Sequence, residues 1–231
     1  MYIRPKLLWW GIPAFLLLFL LGVSLGLMGN RGEPEAVNTV QADGQQEAEE
    51  LRLVYLLDQL TNEKERSFLV SMKDYTLEGT YEQERFHLSG EIGGHQLEMK
   101  RDDQKQVTVL IDGELQDHTA LPYALYTPHE HAQLLKGVLN SLQATPVQSA
   151  DDHSLRGYRL SVPAHEVTLL LDMWLGPSFP VKEMHPEIAK QIAVQYTLWY
   201  DGVSEQVREL DVELRMATSA GEKHDILRFR L

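Results

Sequence analysis

Between Tyr75 and Ile111 apolar and polar residues take turns. Tyr75, Leu77, Gly79 and Tyr81 alternate with Thr76, Glu78, Thr80 and Glu82. Phe86, Leu88 and Ile92 alternate with His87, Ser89 and Glu91, and Leu97 and Met99 with Gln96, Glu98 and Lys100. Val107, Val109 and Ile111 close the run. A period of two puts one face of a strand in a core and the other in water, the usual state of an antiparallel sheet. Gly93-Gly94 and Asp112-Gly113 suit tight hairpins that need positive φ, and Asp102-Asp103 suits a polar turn.

A helical period frames this region. From Glu47 to near Lys64, Leu53, Leu56, Leu57 and Leu60 fall on one face, with Glu49, Glu50, Asp58 and Glu63 elsewhere. A second helix is expected to start at Thr127 as N-cap with Pro128 in the first helical position. Its apolar stripe is Leu135, Val138, Leu139 and Leu142. Tyr158, Leu160 and Val162 then alternate as a strand. A third helix opens at Pro163 and stops at Gly176-Pro177. Three more strands follow: Ile192 to Tyr200, Leu210 to Met216, and Leu227 to Leu231, with Asp201-Gly202 turning between the first two. About eight to eleven antiparallel strands with two or three helices make an α+β domain, helices on one face of a sheet.

Ahead of this lies a different pattern. Leu7 to Met28 is 22 residues without a charged side chain. As a helix it is roughly 33 Å long, enough for a hydrocarbon core of about 30 Å. Trp9 and Trp10 sit near its start, where indole rings favour the headgroup layer. Arg4 and Lys6 precede it, whereas Glu33 and Glu35 soon follow, so the positive-inside bias keeps residues 1–6 in the cytoplasm and places the rest outside. A cleaved signal peptide is the competing reading; its apolar region is shorter and ends in an A-x-A-like site, which Ser24 and Gly26 match poorly. The expected organisation is a cytoplasmic stub (1–6), a single-pass transmembrane anchor (7–28), an acidic flexible linker (29–46) and an extracytoplasmic domain (47–231).

Charge narrows the partners. The chain has 34 acidic and 21 basic residues. Without Arg4 and Lys6, 19 basic residues face those 34, a formal −15 for the outer part. Nucleic-acid binding rests on phosphate neutralisation by Lys and Arg, so that class is excluded. An anionic membrane surface is disfavoured on the same ground. There is no cysteine, hence no disulfide, no thiolate metal site and no acylated lipoprotein anchor.

Candidate chemistry is sparse. His129 and His131 flank Glu130, but at a helix start their side chains diverge by about 200° and no third ligand is evident. They read as exposed first-turn residues. Asp151, Asp152 and His153 read as turn residues before a strand. The Gly-rich stretch Ser89 to Gly94 lacks the Lys-Ser/Thr ending of a phosphate loop, and no Gly-x-Ser-x-Gly turn occurs. With no nucleophile set, metal set or cofactor motif, the expectation is a non-enzyme without cofactor or metal. The helix from Ala164 to Leu175 stands out: Val167, Leu169, Leu170, Leu171, Met173, Trp174 and Leu175 make it apolar on more than one side. Either the following loop and the first helix cover its second side, or that side faces a cavity or a partner. On the second reading Leu170, Met173, Trp174 and Phe179 are the ligand-binding candidates.

The order of elements resembles that of the LolA-like superfamily of envelope proteins, which includes lipoprotein carriers and the LppX and LprG lipoproteins. The resemblance spans roughly residues 47–231. It is carried by a leading helix running into Tyr75-Thr-Leu-Glu-Gly79, an inserted helix, Val162-Pro163 leading into a leucine-rich helix, and Tyr196-Thr-Leu-Trp-Tyr-Asp201 before two long strands. It implies a curved antiparallel half-barrel with helices on its concave face, closed over an apolar cavity. Those lipoproteins are anchored by an acylated cysteine, and this chain by a helix, which speaks against shuttling. The expected function is a membrane-anchored extracytoplasmic module holding a lipid or other apolar ligand; the alternative is an envelope scaffold or sensor that binds another protein.

Overall fold

The structure, a computed structural model, describes residues 36–62, 64–104, 106–116, 125–163, 166–167, 191–218 and 221–231. Two units are distinguished, Met1–Glu49 and Glu50–Leu231. The first contributes only the opening turns of helix α1 (Ala36–Leu60) to the described residues. That helix begins at Ala36 rather than at Glu47, inside the segment read as linker. The intervening stretch carries Ala36, Gln41, Ala42, Gln45 and Gln46, which lose little on entering a helix, and its lone Gly44 costs only about 1 kcal/mol.

The second unit is built on one sheet. Its strands are β1 (Arg66–Met72), β2 (Tyr75–Glu82), β3 (Arg85–Ile92), β4 (His95–Arg101), β5 (Val107–Ile111), β6 (Glu114–Gln116), β7 (Gln143–Gln148), β8 (Leu155–Ser161), β9 (Ile192–Asp201), β10 (Val207–Thr218) and β11 (Gly221–Arg230). The order is β6-β5-β4-β3-β2-β1-β11-β10-β9-β8-β7, antiparallel throughout. Two meanders therefore meet along β1 and β11, where Val70 faces Phe229 and Met72 faces Leu227. The sheet is unclosed. Its edges are β6, only three residues long, and β7, which carries Pro146. Short strands and proline both blunt an edge against further pairing. Helix α2 (Pro128–Gly137) lies in the connection between the edges. The α+β class and the antiparallel sheet agree with the sequence pattern.

Among the described residues four hairpins turn in two residues. Gly93-Gly94 and Asp112-Gly113 have positive φ at both positions, as their sequence suggests. Lys73 (φ 53°) and Gln83 (φ 55°) open the other two turns with a single left-handed residue each, in side chains that rarely take that conformation. Strand β1 is absent from the sequence reading because Phe68-Leu69-Val70 breaks the alternation. Phe68 and Val70 are buried, whereas Leu69 points outward, 37% exposed.

One hydrophobic cluster holds the unit together. It takes Leu53, Leu56, Leu57 and Leu60 from α1, Ala132 and Leu135 from α2, and the inward residues of β1–β5 and β8–β11. Val167, the described member of the apolar helix, also belongs to it. Phe229 is fully buried, its ring 6.0 Å from Phe68 and 5.2 Å from His131. The Gln59 side chain docks α1 on the β9–β10 turn, donating to the Glu205 carbonyl (2.7 Å) and accepting from the Val207 N–H (3.1 Å). Arg66 caps the same helix end by donating to the Gln59 carbonyl.

On the outer face the sheet is laced by charge. Arg228 donates to Asp211 (2.7 Å), Arg230 to Glu209 (3.1 Å), and the Trp199 indole N–H to Asp211 (3.2 Å). Trp199 lies against Gly157, its cross-strand partner. A Cβ at position 157 would stand 2.7 Å from the Leu198 carbonyl oxygen and 2.8 Å from the indole ring. The oxygen belongs to a strand backbone and cannot step aside. Gly157→Ala is therefore expected to destabilise the fold by about 1–3 kcal/mol, read as a lower urea midpoint; an unchanged midpoint would show that β8 and β9 separate without strain.

Candidate functional site

The start of α2 organises two concavities. Thr127 caps the helix, its hydroxyl accepting from the Glu130 N–H, while Glu130 reaches back to the Thr127 N–H (3.0 Å). The same carboxylate accepts from the Tyr126 N–H (2.7 Å) and the Thr127 hydroxyl (3.0 Å), and pairs with Arg101 of β4. The Arg101 guanidinium sits over the Phe86 ring at 5.0 Å and the Tyr126 ring at 5.9 Å. Burial, with the Glu130 charge second, pushes the Tyr126 phenol up to about 12. This knot of contacts holds Leu125 and Tyr126 against the buried face of the sheet.

Beneath them lies an apolar pocket of about 120 Å³. Val70, Met72, Leu77, Leu88, Leu97, Met99, Leu227 and Phe229 of β1–β4 and β11 form its floor and sides, and Leu125 and Tyr126 part of its wall. Among the described residues no charged side chain lines it. Apolar cavities of about 150 Å³ stay dry and admit benzene, so this space suits a ring or a few methylenes.

The two histidines are not exposed, contrary to the sequence reading. His131 is fully buried and His129 only 2% exposed. Their burial has a tertiary cause: the His131 ring packs on Tyr196 of β9 and Phe229 of β11, and His129 on Tyr81 of β2. His131 Nδ1 lies 3.1 Å from the Tyr196 hydroxyl, and its ring packs on Phe229. Burial drives its pKa down to about 3, against a smaller opposing effect from a hydrogen bond to the Leu125 backbone. Burial also raises the Tyr196 phenol. The pair is thus neutral and structural. His129 lies 6.1 Å from the Tyr81 ring, with its Nε2 2.9 Å from the Gln133 amide. Its Nδ1 meets no partner in ordinary hydrogen-bond geometry. Burial lowers its pKa, and the nearby Glu130 and the Leu60 backbone offset only part of that.

His129 borders a second, polar concavity of about 480 Å³, walled by Thr61, the turn Gln83-Glu84-Arg85, Asp102, Asp103 and Gln133. Asp151, Asp152 and His153 stay exposed in the β7–β8 turn. There Asp152 accepts from the Ser154 N–H and hydroxyl, which hold its carboxyl below the usual range. Among the described residues no group of three His, Asp or Glu is placed to hold a metal ion.

Leu170, Met173, Trp174 and Phe179, the candidate ligand residues, lie outside the described residues. The sequence reading missed Leu125, Tyr126 and the β1 residues as pocket walls. The capping box Thr127-x-x-Glu130 was a signal that the preceding residues would be pinned. No protein-family model matches the chain, and no curated protein matches it in sequence.

Proposed function

We propose that this chain is a membrane-anchored extracytoplasmic module whose LolA-like domain, a half-barrel with helices on its concave face, holds a lipid or other apolar ligand. The observation that carries the reading is the uncharged pocket between the sheet's buried face and Leu125-Tyr126. The unclosed sheet and the resemblance in element order support it. No helix among the described residues is long and apolar enough to cross a membrane, and residues 7–28 lie outside them; the anchor rests on the charge-free run and its flanks.

Native mass spectrometry of the full chain, purified in detergent, is expected to show a mass excess that organic extraction removes. Leu97→Trp fills the pocket from a half-buried position and is expected to weaken rebinding of the extracted lipid at least about tenfold, or about 1.4 kcal/mol. A bare mass, with no uptake of added fatty acid or phospholipid, would sink the reading.

A scaffold or sensor of another envelope protein is the second reading. Leu51 and Tyr55 favour it, standing one turn apart on α1 at 65% and 53% exposure. Crosslinking from those positions in intact cells would capture a specific neighbour if it holds.

A further inference from the structure

The apolar surface of the sheet's buried face does not end with the apolar pocket. On β11 the inward positions run Phe229, Leu227, Asp225 and Lys223, and on β10 they run Leu210, Val212, Leu214 and Met216. Val212 pairs with Leu227, Leu214 with Asp225 and Met216 with Lys223. Leu227 and Phe229 line the pocket, together with Met72 and Tyr75 on either side of the Lys73-Asp74 turn. Leu214 and Met216 are only half-buried against the core, so an apolar track leaves the pocket past Leu227 toward the end of the sheet. It stops at Lys223, four residues or roughly 13 Å of strand beyond Leu227.

The charges at this end are sorted by face. Arg215 and His224 both pair with Glu213 on the outer face, each at 2.6 Å. On the inner side Asp225 is held by Lys73 at 3.2 Å, and Asp112, at the neighbouring hairpins, is engaged by His95 at 2.6 Å. Lys223 is exposed and has no polar partner among the described residues. Lys73, Asp74, Lys223 and Asp225 sum to zero in a chain of formal charge −13, so they lack the acidic excess that repels anions elsewhere. An ammonium offers three donors and no acceptor, which suits an oxygen anion. A pocket of about 120 Å³ has room for the end of one alkyl chain and not for two. We propose that pocket and track bind a single-chain amphiphile with one anionic head: the tail end between Leu88, Met99 and Phe229, the body along Leu214 and Met216, the head at the Lys223 ammonium. The inference rests on the apolar-ligand reading and adds to it the polar end of the ligand and the number of its chains.

The test is titration of the full chain in lipid nanodiscs, its methionine methyls labelled with carbon-13, with dodecanoate, dodecanol and dodecylamine. Empty nanodiscs correct for partition of each compound into lipid. Saturable binding of dodecanoate is expected, at least about tenfold tighter than that of dodecanol, with the methyl resonances of Met72, Met99 and Met216 all shifting. Lys223→Gln should bring dodecanoate to the affinity of dodecanol, and Lys223→Arg should keep the difference. Lys223 is exposed, so neither substitution disturbs the core. Equal binding of acid and alcohol by the parent, an undiminished preference in Lys223→Gln, tighter binding of the amine, or an unmoved Met216 overturns the proposal and leaves the apolar-ligand reading standing. Failure of all three compounds to bind overturns both.

Discussion

Glu130→Ala is expected to destabilise the chain by roughly 3 kcal/mol and to loosen the wall of the apolar pocket. The carboxylate serves four donors: the Tyr126 N–H, the Thr127 N–H, the Thr127 hydroxyl and the Arg101 guanidinium. Removing a cap costs about 1 kcal/mol. The larger loss comes from Arg101, 15% exposed, whose charge would be left nearly buried without its partner; breaking such pairs typically costs about 3–5 kcal/mol. Some water reaches this pair, which places the sum near the lower bound. Glu130→Gln keeps acceptors for the backbone N–H groups and is expected to recover part of the cap but little of the ion pair. Urea unfolding of the three proteins orders them parent, Gln, Ala. Equal midpoints for parent and Ala would mean that Arg101 finds water or another acceptor, and that the capping box does not hold Leu125 and Tyr126 in place.

Acid is expected to weaken the fold well above the carboxylate range. His131 titrates near 6.5 in the unfolded chain and near 3 in the folded one, because burial excludes its charge. Between those values the unfolded state holds a proton that the folded state lacks, so unfolding gains as pH falls. The stability from this group is complete above about pH 6.5 and lost progressively toward pH 3, at up to about 1.4 kcal/mol per pH unit. His129 acts in the same direction, its pKa lowered chiefly by burial. Over the window from about pH 6.5 to 4.5 the total is of order 2–3 kcal/mol. Asp112, Asp152 and Asp201, whose carboxyls are held low by hydrogen bonds, act in the same direction as the acid range is entered, and Glu209, raised by burial, acts against it; the histidine share is therefore read from the difference between parent and variant. Urea unfolding across this range should show the parent losing stability while His131→Phe, whatever its starting stability, loses less per pH unit. Parallel slopes would place the proton uptake elsewhere.

The two histidines also show where sequence reasoning stopped. Thr127 and Pro128 announce a helix start through local chemistry, and the N-cap is there as read, with Glu130 completing a capping box that the sequence reading did not name. Whether the first turn faces water or a core depends on what crosses it. Only the packing of α2 against the sheet decides that, and it reverses the sequence expectation for His129 and His131. Strand β1 failed for a related reason: Leu69 breaks the alternation because its place on the outer face beside β11 is set by partners more than 150 residues away in sequence. The turns at Lys73 and Gln83 carry no glycine or asparagine, so their left-handed backbone is imposed by the register of the flanking strands.

What the sequence determined by itself was local and periodic. Alternation in Phe86 to Ile92, Leu97 to Met99 and Tyr196 to Tyr200 specifies half-buried strands, and the leucines of α1 specify its buried face, because side-chain direction follows directly from backbone period. The absence of cysteine ruled out disulfides and thiolate metal sites without any fold, and the acidic balance argued against nucleic acid. The tertiary structure decided what depends on contacts distant in sequence. It joined β1 to β11, so that Val70 and Met72 meet Phe229 and Leu227 around one pocket. It laid Lys223 of β11 beside Met216 of β10, beyond the rim of that pocket. A binding site is a property of which surfaces meet, and no period along the chain encodes that meeting.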